Sequence, residues 1–118
     1  MPKLYMYRGD AASFDLAAKN RDGSPKDISS GVVWFTVKSH ARQADVDAIA
    51  QYTSDTTGVT ITDGPNGLFT VTFDKDDTAS TYAPSYLVWD AQFVTAGGEP
   101  ITLDTGTLVL EPDVTRST

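Results

Sequence analysis

The chain of 118 residues contains no cysteine and a single histidine. The absence of cysteine excludes disulfide bonds, thiol catalysis and cysteine-ligated metal sites. Basic residues are also few, with 9 against 16 acidic residues and a net charge of −7. A phosphate backbone or an anionic membrane surface is bound by clustered lysine and arginine, so we predict neither nucleic acid nor a membrane as a partner. The charge mainly favours solubility.

Long apolar runs are missing too. The sequence has no stretch near the ~20 apolar residues of a membrane span, and residues 1–10 lack the apolar core of a signal peptide. We therefore expect a protein made in the cytoplasm and, because the chain starts at Met1 without a tag, a complete small gene product. Its length predicts one domain, 1–118. A hydrophobic content of 40% is enough for one core and is not typical of a disordered chain.

Apolar and polar residues alternate with a period of two along most of the sequence, which predicts β-strands. The predicted strands cover residues 4–7, 13–18, 32–38, 49–53, 59–62, 68–73, 86–94 and 101–110. Within 41–52, a short helical or irregular excursion is expected before the strand. Turn-rich segments separate the strands. The sequence therefore predicts an all-β protein, an immunoglobulin-like antiparallel β-sandwich of about seven or eight strands.

The alternation also assigns side chains to faces. Both faces of 32–38 are apolar, which predicts a central strand with Phe35 on one side and Trp34 on the other. The loop 63–67 contains Asn-Gly, a pair typical of hairpin turns, and Gly106 predicts a bulge or bend. In 86–94, four side chains are predicted to face the core, namely Leu87, Trp89, Ala91 and Phe93.

Two short motifs invite a functional interpretation. Arg8-Gly9-Asp10 spells an integrin-type tripeptide, but a tight turn with Gly9 at the bend is favoured. Asp74, Asp76 and Asp77 offer oxygen ligands to calcium without the spacing or the glycine of a known calcium loop. A corner in which Asp77 or Thr78 caps a short helical turn is favoured there.

Catalytic chemistry finds little support. His40 is the only histidine, and no serine elbow motif accompanies it, so we predict a surface histidine after a strand. Sixteen acidic residues allow many carboxylate pairs for glycoside hydrolysis, but none stands out. Asp63 and Asn66 are interpreted as turn residues. We therefore predict no enzyme, no catalytic, cofactor-binding or metal-binding residue, and no cofactor.

The aromatic residues allow two interpretations. A sugar-binding platform is one, and burial in the core is the other. We favour the core, because each tryptophan lies within an alternating strand, and because Tyr86 follows Pro84-Ser85 like the tyrosine that packs at a corner of immunoglobulin-like sandwiches. The residues concerned are Trp34, Tyr52, Tyr82, Tyr86 and Trp89.

The order of the local motifs carries a resemblance. The motifs are Arg8-Gly9-Asp10, Phe14-Asp15-Leu16, Asp22-Gly23, Pro25-Lys26-Asp27-Ile28, Val33-Trp34-Phe35-Thr36-Val37-Lys38, Val59-Thr60-Ile61-Thr62-Asp63, Gly67-Leu68-Phe69-Thr70-Val71, Asp77-Thr78, Tyr86-Leu87-Val88-Trp89-Asp90 and Gly106-Thr107-Leu108-Val109-Leu110-Glu111-Pro112-Asp113-Val114-Thr115. This order resembles small proteins encoded among tail and virion genes of phages and prophages. It also resembles the N-terminal β-sandwich domain of phage baseplate upper proteins.

The resemblance implies a structural or adaptor protein of a bacteriophage or prophage particle, associated with the tail, baseplate or capsid. It implies docking onto other virion proteins and onto copies of itself, and a location in a virion assembled in the host bacterial cytoplasm. The chain lacks the coiled-coil or receptor-binding extension of the baseplate proteins, which argues against receptor binding. The alternative function is a carbohydrate- or cell-surface-binding module, which predicts a patch of exposed aromatic residues. An enzyme instead predicts a cleft with convergent polar groups.

Overall fold

A computed structural model of the chain describes residues 3–40, 48–78 and 85–112. These residues form eight strands and one short helix, and a 3-10 turn, Gly64–Asn66, joins the fifth strand to the sixth. No helix in the described part of the chain is long and apolar enough to cross a membrane. The elements are β1 Lys3–Tyr7, β2 Ala12–Ala17, β3 Val32–Lys38, β4 Ala50–Thr53, β5 Val59–Asp63, β6 Leu68–Phe73, α1 Lys75–Thr78, β7 Ser85–Val94 and β8 Pro100–Glu111.

The strands form two sheets. A five-stranded sheet has the order β1-β8-β7-β3-β4, and a three-stranded sheet has the order β2-β6-β5. The prediction of an all-β sandwich with seven or eight strands is confirmed. Every pair of neighbouring strands is antiparallel except β1 and β8, which run parallel. The hydrophobic alternation does not indicate that parallel pair, because alternation fixes the face of a side chain and not the direction of a strand.

The core lies between the two sheets and is rich in aromatic contacts. The ring of Phe35 stacks on that of Trp89 with centroids 5.2 Å apart, and the ring of Phe73 meets those of Phe35 and Tyr52 edge-on at 5.9 and 5.3 Å. β3 pairs with a strand on each side, so its central position is confirmed. The core face predicted for the long strand is also confirmed, since four side chains are buried there, Leu87, Trp89, Ala91 and Phe93.

Two local features differ from the sequence-based expectations. The irregularity in β8 lies at Leu103, because Ala91 pairs with Asp104 while Gln92 pairs with Thr102. Gly106 stays in register opposite Trp89, because the extra residue of β8 is accommodated at Leu103 instead. The predicted bulge at Gly106 is therefore wrong.

Some expectations fall on residues outside the described ranges. The helical or irregular excursion predicted before β4 includes residues 41–47, which are not described, whereas the strand predicted after it is confirmed as Ala50–Thr53. The assignment of 1–118 to one domain stays a prediction. Within the described residues, both sheets contribute to one apolar core.

Candidate functional site

The Arg8-Gly9-Asp10 segment is a tight turn between β1 and β2, as predicted. Gly9 has a φ of +80°, a conformation that favours glycine. The Asp10 amide donates a hydrogen bond to the Tyr7 carbonyl at 3.2 Å, and the Gly9 amide donates one to Thr78 Oγ1 at 2.9 Å. The turn is therefore attached to α1 at one end of the sandwich.

The acidic corner at α1 uses its carboxylates locally. Asp74 Oδ1 accepts a hydrogen bond from the Asp76 amide at 3.1 Å, so Asp74 caps the helical turn and the predicted caps at Asp77 or Thr78 are wrong. Thr78 is fully buried, and its hydroxyl accepts from the Gly9 amide instead. Within the described residues, no three aspartate, glutamate or histidine side chains converge as a metal site requires.

Tyr52 is the tyrosine that closes this corner. Its side chain is 5% exposed. Its hydroxyl donates to an Asp77 carboxylate oxygen at 2.5 Å and accepts from the Asp74 amide at 3.3 Å. Burial, followed by the hydrogen bond to Asp77, raises the pKa of Tyr52 well above its ordinary value. The corner role predicted for Tyr86 is therefore wrong, and β4 supplies this residue instead of β7.

The remaining polar candidates stabilise turns or lie at the surface. The side-chain amide of Asn66 donates a hydrogen bond to the Asp63 carboxylate at 2.8 Å, which confirms both as turn residues. The Ser24 hydroxyl and then its amide lower the pKa of Asp22 by hydrogen bonding, and Ser29 does the same for Asp27. His40 is exposed just after β3, as predicted.

A cluster of tyrosines lies on the outer face of the five-stranded sheet. Tyr5, Tyr7 and Tyr86 have exposed fractions of 59%, 57% and 75%. Val109 pairs with Tyr5 on one side and with Tyr86 on the other, so Tyr5, Val109 and Tyr86 form one row across β1, β8 and β7. Tyr7 lies two residues beyond Tyr5 on β1. Val109 points away from the core in the alternation but is only 6% exposed. We call these four residues the tyrosine patch.

Burial in the core is confirmed for Trp89 and Tyr52. It is wrong for Tyr86 and for Trp34, which is 36% exposed on the outer face. Tyr82 lies outside the described residues. The signal was present in the sequence, because the alternation that places Leu87 inward places Tyr86 outward. In β1 the same alternation buries Met6 and exposes its two tyrosine neighbours. A proline-serine pair before a tyrosine is therefore a weaker indicator of burial than the alternation of the strand that follows.

Two shallow grooves lie on the same face of the sheet as the tyrosine patch. One has a volume of about 310 Å³. It is lined in part by Val88 and Thr107, which belong to β7 and β8, two of the strands that carry the patch. The other, of about 290 Å³, is bordered by Trp34. Both grooves are lined by Thr36, Lys38 and Asp90. Hydroxyl and charged groups therefore lie on the same face as the tyrosine patch.

The outer face is electrically balanced. Outward positions of the five-stranded sheet carry two basic residues, Lys3 and Lys38, and two acidic ones, Asp90 and Glu111. Their charges sum to zero, whereas the whole chain has a net charge of −7. The excess negative charge therefore lies elsewhere, and this face meets another acidic surface with little repulsion.

Comparisons with known proteins assign no family. No family model matches the chain, and no curated protein matches it. Solved structures that match include AggA, the major subunit of aggregative adherence fimbriae type I from Escherichia coli. The TM-score is 0.33 and the identity 15%, over 96% of this chain and 91% of AggA. A similarity at this level carries no argument about function.

The resemblance to phage baseplate upper proteins and small virion proteins is wrong. No family model matches the chain, a phage family included, and the solved structure named above is a fimbrial subunit and not a phage protein. The quoted motifs are short strand and turn patterns, which sandwiches of unrelated function share. The location in a virion, which that resemblance implied, is tested by none of these findings.

Proposed function

We propose that this chain is a non-enzymatic structural protein that acts by docking, and that the docking surface is the outer face of the five-stranded sheet. The observation that carries the proposal is the tyrosine patch, in which the exposed Tyr5 and Tyr86 flank Val109 and the exposed Tyr7 follows two residues along β1. Tyrosine is enriched at the centre of protein interfaces because its ring buries a large area while its hydroxyl keeps a polar partner. Contiguous exposed aromatic residues are typical of interaction sites.

The charge distribution supports a protein partner. Charged residues are depleted at interface centres, and the tyrosine patch contains none. Lys3 and Glu111 lie at its margin. Lys3 shares the outward face of β1 with Tyr5, and Glu111 pairs with Tyr7. This arrangement of an apolar centre and a charged rim fits a partner that is itself a structural subunit of the same assembly.

Hydroxyl-radical footprinting of the native assembly tests the proposal. Tyr86, Tyr5 and Tyr7 should react readily in the isolated protein and at least several-fold more slowly in the assembly. Leu68 serves as an internal control, because it is 41% exposed on β6 in the other sheet. Equal reactivity of Tyr86 in both samples, or absence of the protein from any assembly, would contradict the proposal.

Carbohydrate binding is a second candidate, favoured by one specific observation. Such a module predicts an exposed aromatic patch, and the exposed tyrosine rings share this face with grooves that Thr36, Lys38 and Asp90 line. It ranks second because Lys38 and Asp90 in the grooves already interact with other groups of the chain. Calorimetric titration with soluble oligosaccharides distinguishes the candidates. Binding by the parent that is lost in Tyr86→Ser would favour the carbohydrate, and absence of heat would favour the protein partner.

A further inference from the structure

The edge of the five-stranded sheet beside the tyrosine patch is β1. Its five residues, Lys3–Tyr7, pair with β8 along one side. Within the described residues, no strand pairs with the other side. An edge of this kind presents unpaired N–H and C=O groups to another chain.

β1 is the least protected of the sheet edges in the described part of the chain. Edges are commonly blunted by charges, by shortness or by irregular register. β4 has only four residues, β2 carries Asp15 in its middle, and β5 shifts register between Ile61 and Asp63. β1 has no proline, and its only charge is at Lys3.

The direction of the backbone groups singles out Tyr5. The Arg8 backbone amide donates a hydrogen bond to the Glu111 carbonyl at 2.9 Å, so the backbone N–H and C=O groups of Arg8 point toward β8. Successive residues of a strand direct their N–H and C=O groups to opposite sides. The groups of Met6 and Leu4 therefore point toward β8, and those of Tyr5 and Tyr7 point to the open edge. The Tyr7 carbonyl already accepts a hydrogen bond from the Asp10 amide. Tyr5 is therefore the centre of the open edge.

We propose that a second copy of this chain pairs its β1 antiparallel with β1, about a two-fold axis at Tyr5. In this register Tyr5 opposes Tyr5, Lys3 opposes Tyr7, and Leu4 opposes Met6. Each Tyr5 N–H donates to the Tyr5 C=O of the other copy. The inference rests on the proposed function, because the pairing joins the tyrosine patches of two copies into one continuous surface.

This register is self-complementary. Each Lys3 ammonium lies opposite a Tyr7 ring, a favourable cation–π arrangement, and the two lysines stay at opposite ends of the pair. A register that opposes Lys3 to Lys3 brings like charges together and leaves most of β1 unpaired. A two-fold axis makes the same five residues the contact on both copies, as isologous interfaces require. The balanced charge of the outer face lets two acidic molecules approach along it.

Two variants at one position separate backbone pairing from ring contacts. Tyr5→Pro removes the outward N–H, which makes no bond to β8, and proline is tolerated on a sheet edge. Tyr5→Thr keeps the N–H and removes the ring. Sedimentation equilibrium should show a concentration-dependent dimer for the parent and weakened dimerisation for Tyr5→Thr. For Tyr5→Pro we expect association weaker than that of Tyr5→Thr by roughly 30-fold, since two hydrogen bonds are lost per dimer. Equal association of the two variants would overturn the proposal.

Amide hydrogen exchange tests the pairing without a substitution. The Tyr5 amide should exchange fast in dilute protein and slowly in concentrated protein, whereas the Met6 amide, directed at β8, should be protected in both. Tyr5 exchange that is independent of concentration would overturn the proposal, as would a monomer at all concentrations. If Tyr86 is protected in the native assembly but the Tyr5 amide is not, the edge pairing fails and the docking face stands. If the Tyr5 amide is protected while Tyr86 stays exposed in the assembly, the docking face fails.

Discussion

At the scale of single residues, Tyr52 shows how a buried polar group is satisfied in this sandwich. Its ring packs edge-on against Phe73, and its hydroxyl bridges the Asp77 carboxylate and the Asp74 amide. The hydrogen bonds connect β4 to the corner at α1. Tyr52 therefore contributes both buried area and a polar connection that phenylalanine cannot make.

Tyr52→Phe isolates the hydroxyl. We expect the free energy of unfolding to fall by about 1–3 kcal/mol, because the substitution leaves Asp77 and the Asp74 amide without this partner. Chemical denaturation at neutral pH measures the change. As a control, Tyr86→Phe removes the hydroxyl of an exposed tyrosine and should change stability by less than about 0.5 kcal/mol. Equal stability of Tyr52→Phe and the parent would show that the corner bonds contribute nothing.

Alkaline pH should act through the same hydroxyl. The pKa of Tyr52 is raised in the folded protein, so above pH ~10, the ordinary tyrosine pKa, the unfolded chain loses a proton that the folded chain keeps. Because the unfolded state then binds fewer protons, the free energy of unfolding decreases as pH rises. Denaturation series between pH 8 and 11 should show a shallower decrease in Tyr52→Phe than in the parent. Identical slopes would exclude Tyr52 as the titrating group.

At the scale of elements, β7 has a clear division between its faces. Four side chains are buried, and the residues between them are half-buried; the buried ones are Leu87, Trp89, Ala91 and Phe93. The alternation in the sequence is sufficient to predict this division, because a strand buried on one side must alternate. The sequence is less informative at Gly106, because a glycine within a strand predicts a bulge, whereas this glycine pairs in register with Trp89.

Trp89→Ala tests the packing of β7. We expect a loss of about 3–5 kcal/mol, typical of removing a large buried aromatic side chain. Val88→Ala on the outer face of the same strand is the matched control and should cost under ~1 kcal/mol, because Val88 is only half-buried. Thermal melting with circular dichroism measures both. Similar losses in the two variants would contradict the assignment of faces.

The corner at α1 gives a prediction about metals. Asp74 caps the helical turn and Asp77 binds Tyr52, so these carboxylates already have partners. We expect chelators and millimolar calcium to leave the melting temperature unchanged, because a ligand raises it only by binding the native state. A clear upward shift with calcium, absent in Asp76→Asn, would instead establish a calcium site there.

At the scale of the whole molecule, the fold class was predictable from the sequence, whereas the composition of the proposed docking face was not. Period-two alternation and frequent turns are enough for an all-β sandwich. The parallel pairing of β1 with β8 joins residues about 100 positions apart, and no local pattern encodes a contact over that distance. Tyr5 becomes a neighbour of Val109 only through that pairing, whereas Tyr86 lies opposite Val109 through the antiparallel pair of β7 and β8. Motif order was a poor guide to ancestry, because turns and alternating strands recur in unrelated sandwiches.

The central claim is that the tyrosine patch is the surface by which this protein enters an assembly. The most direct measurement compares incorporation of Tyr86→Ser and Leu68→Ser into the native assembly. Tyr86 is 75% exposed and Leu68 is 41% exposed, and they lie on opposite sheets. Because each substitution replaces an exposed residue, both variants should melt within a few degrees of the parent. The account predicts that Tyr86→Ser is incorporated at least about 10-fold less than the parent, because truncating a central interface residue weakens binding by more than about 1 kcal/mol. Leu68→Ser should be incorporated like the parent. Normal incorporation of Tyr86→Ser would contradict the account.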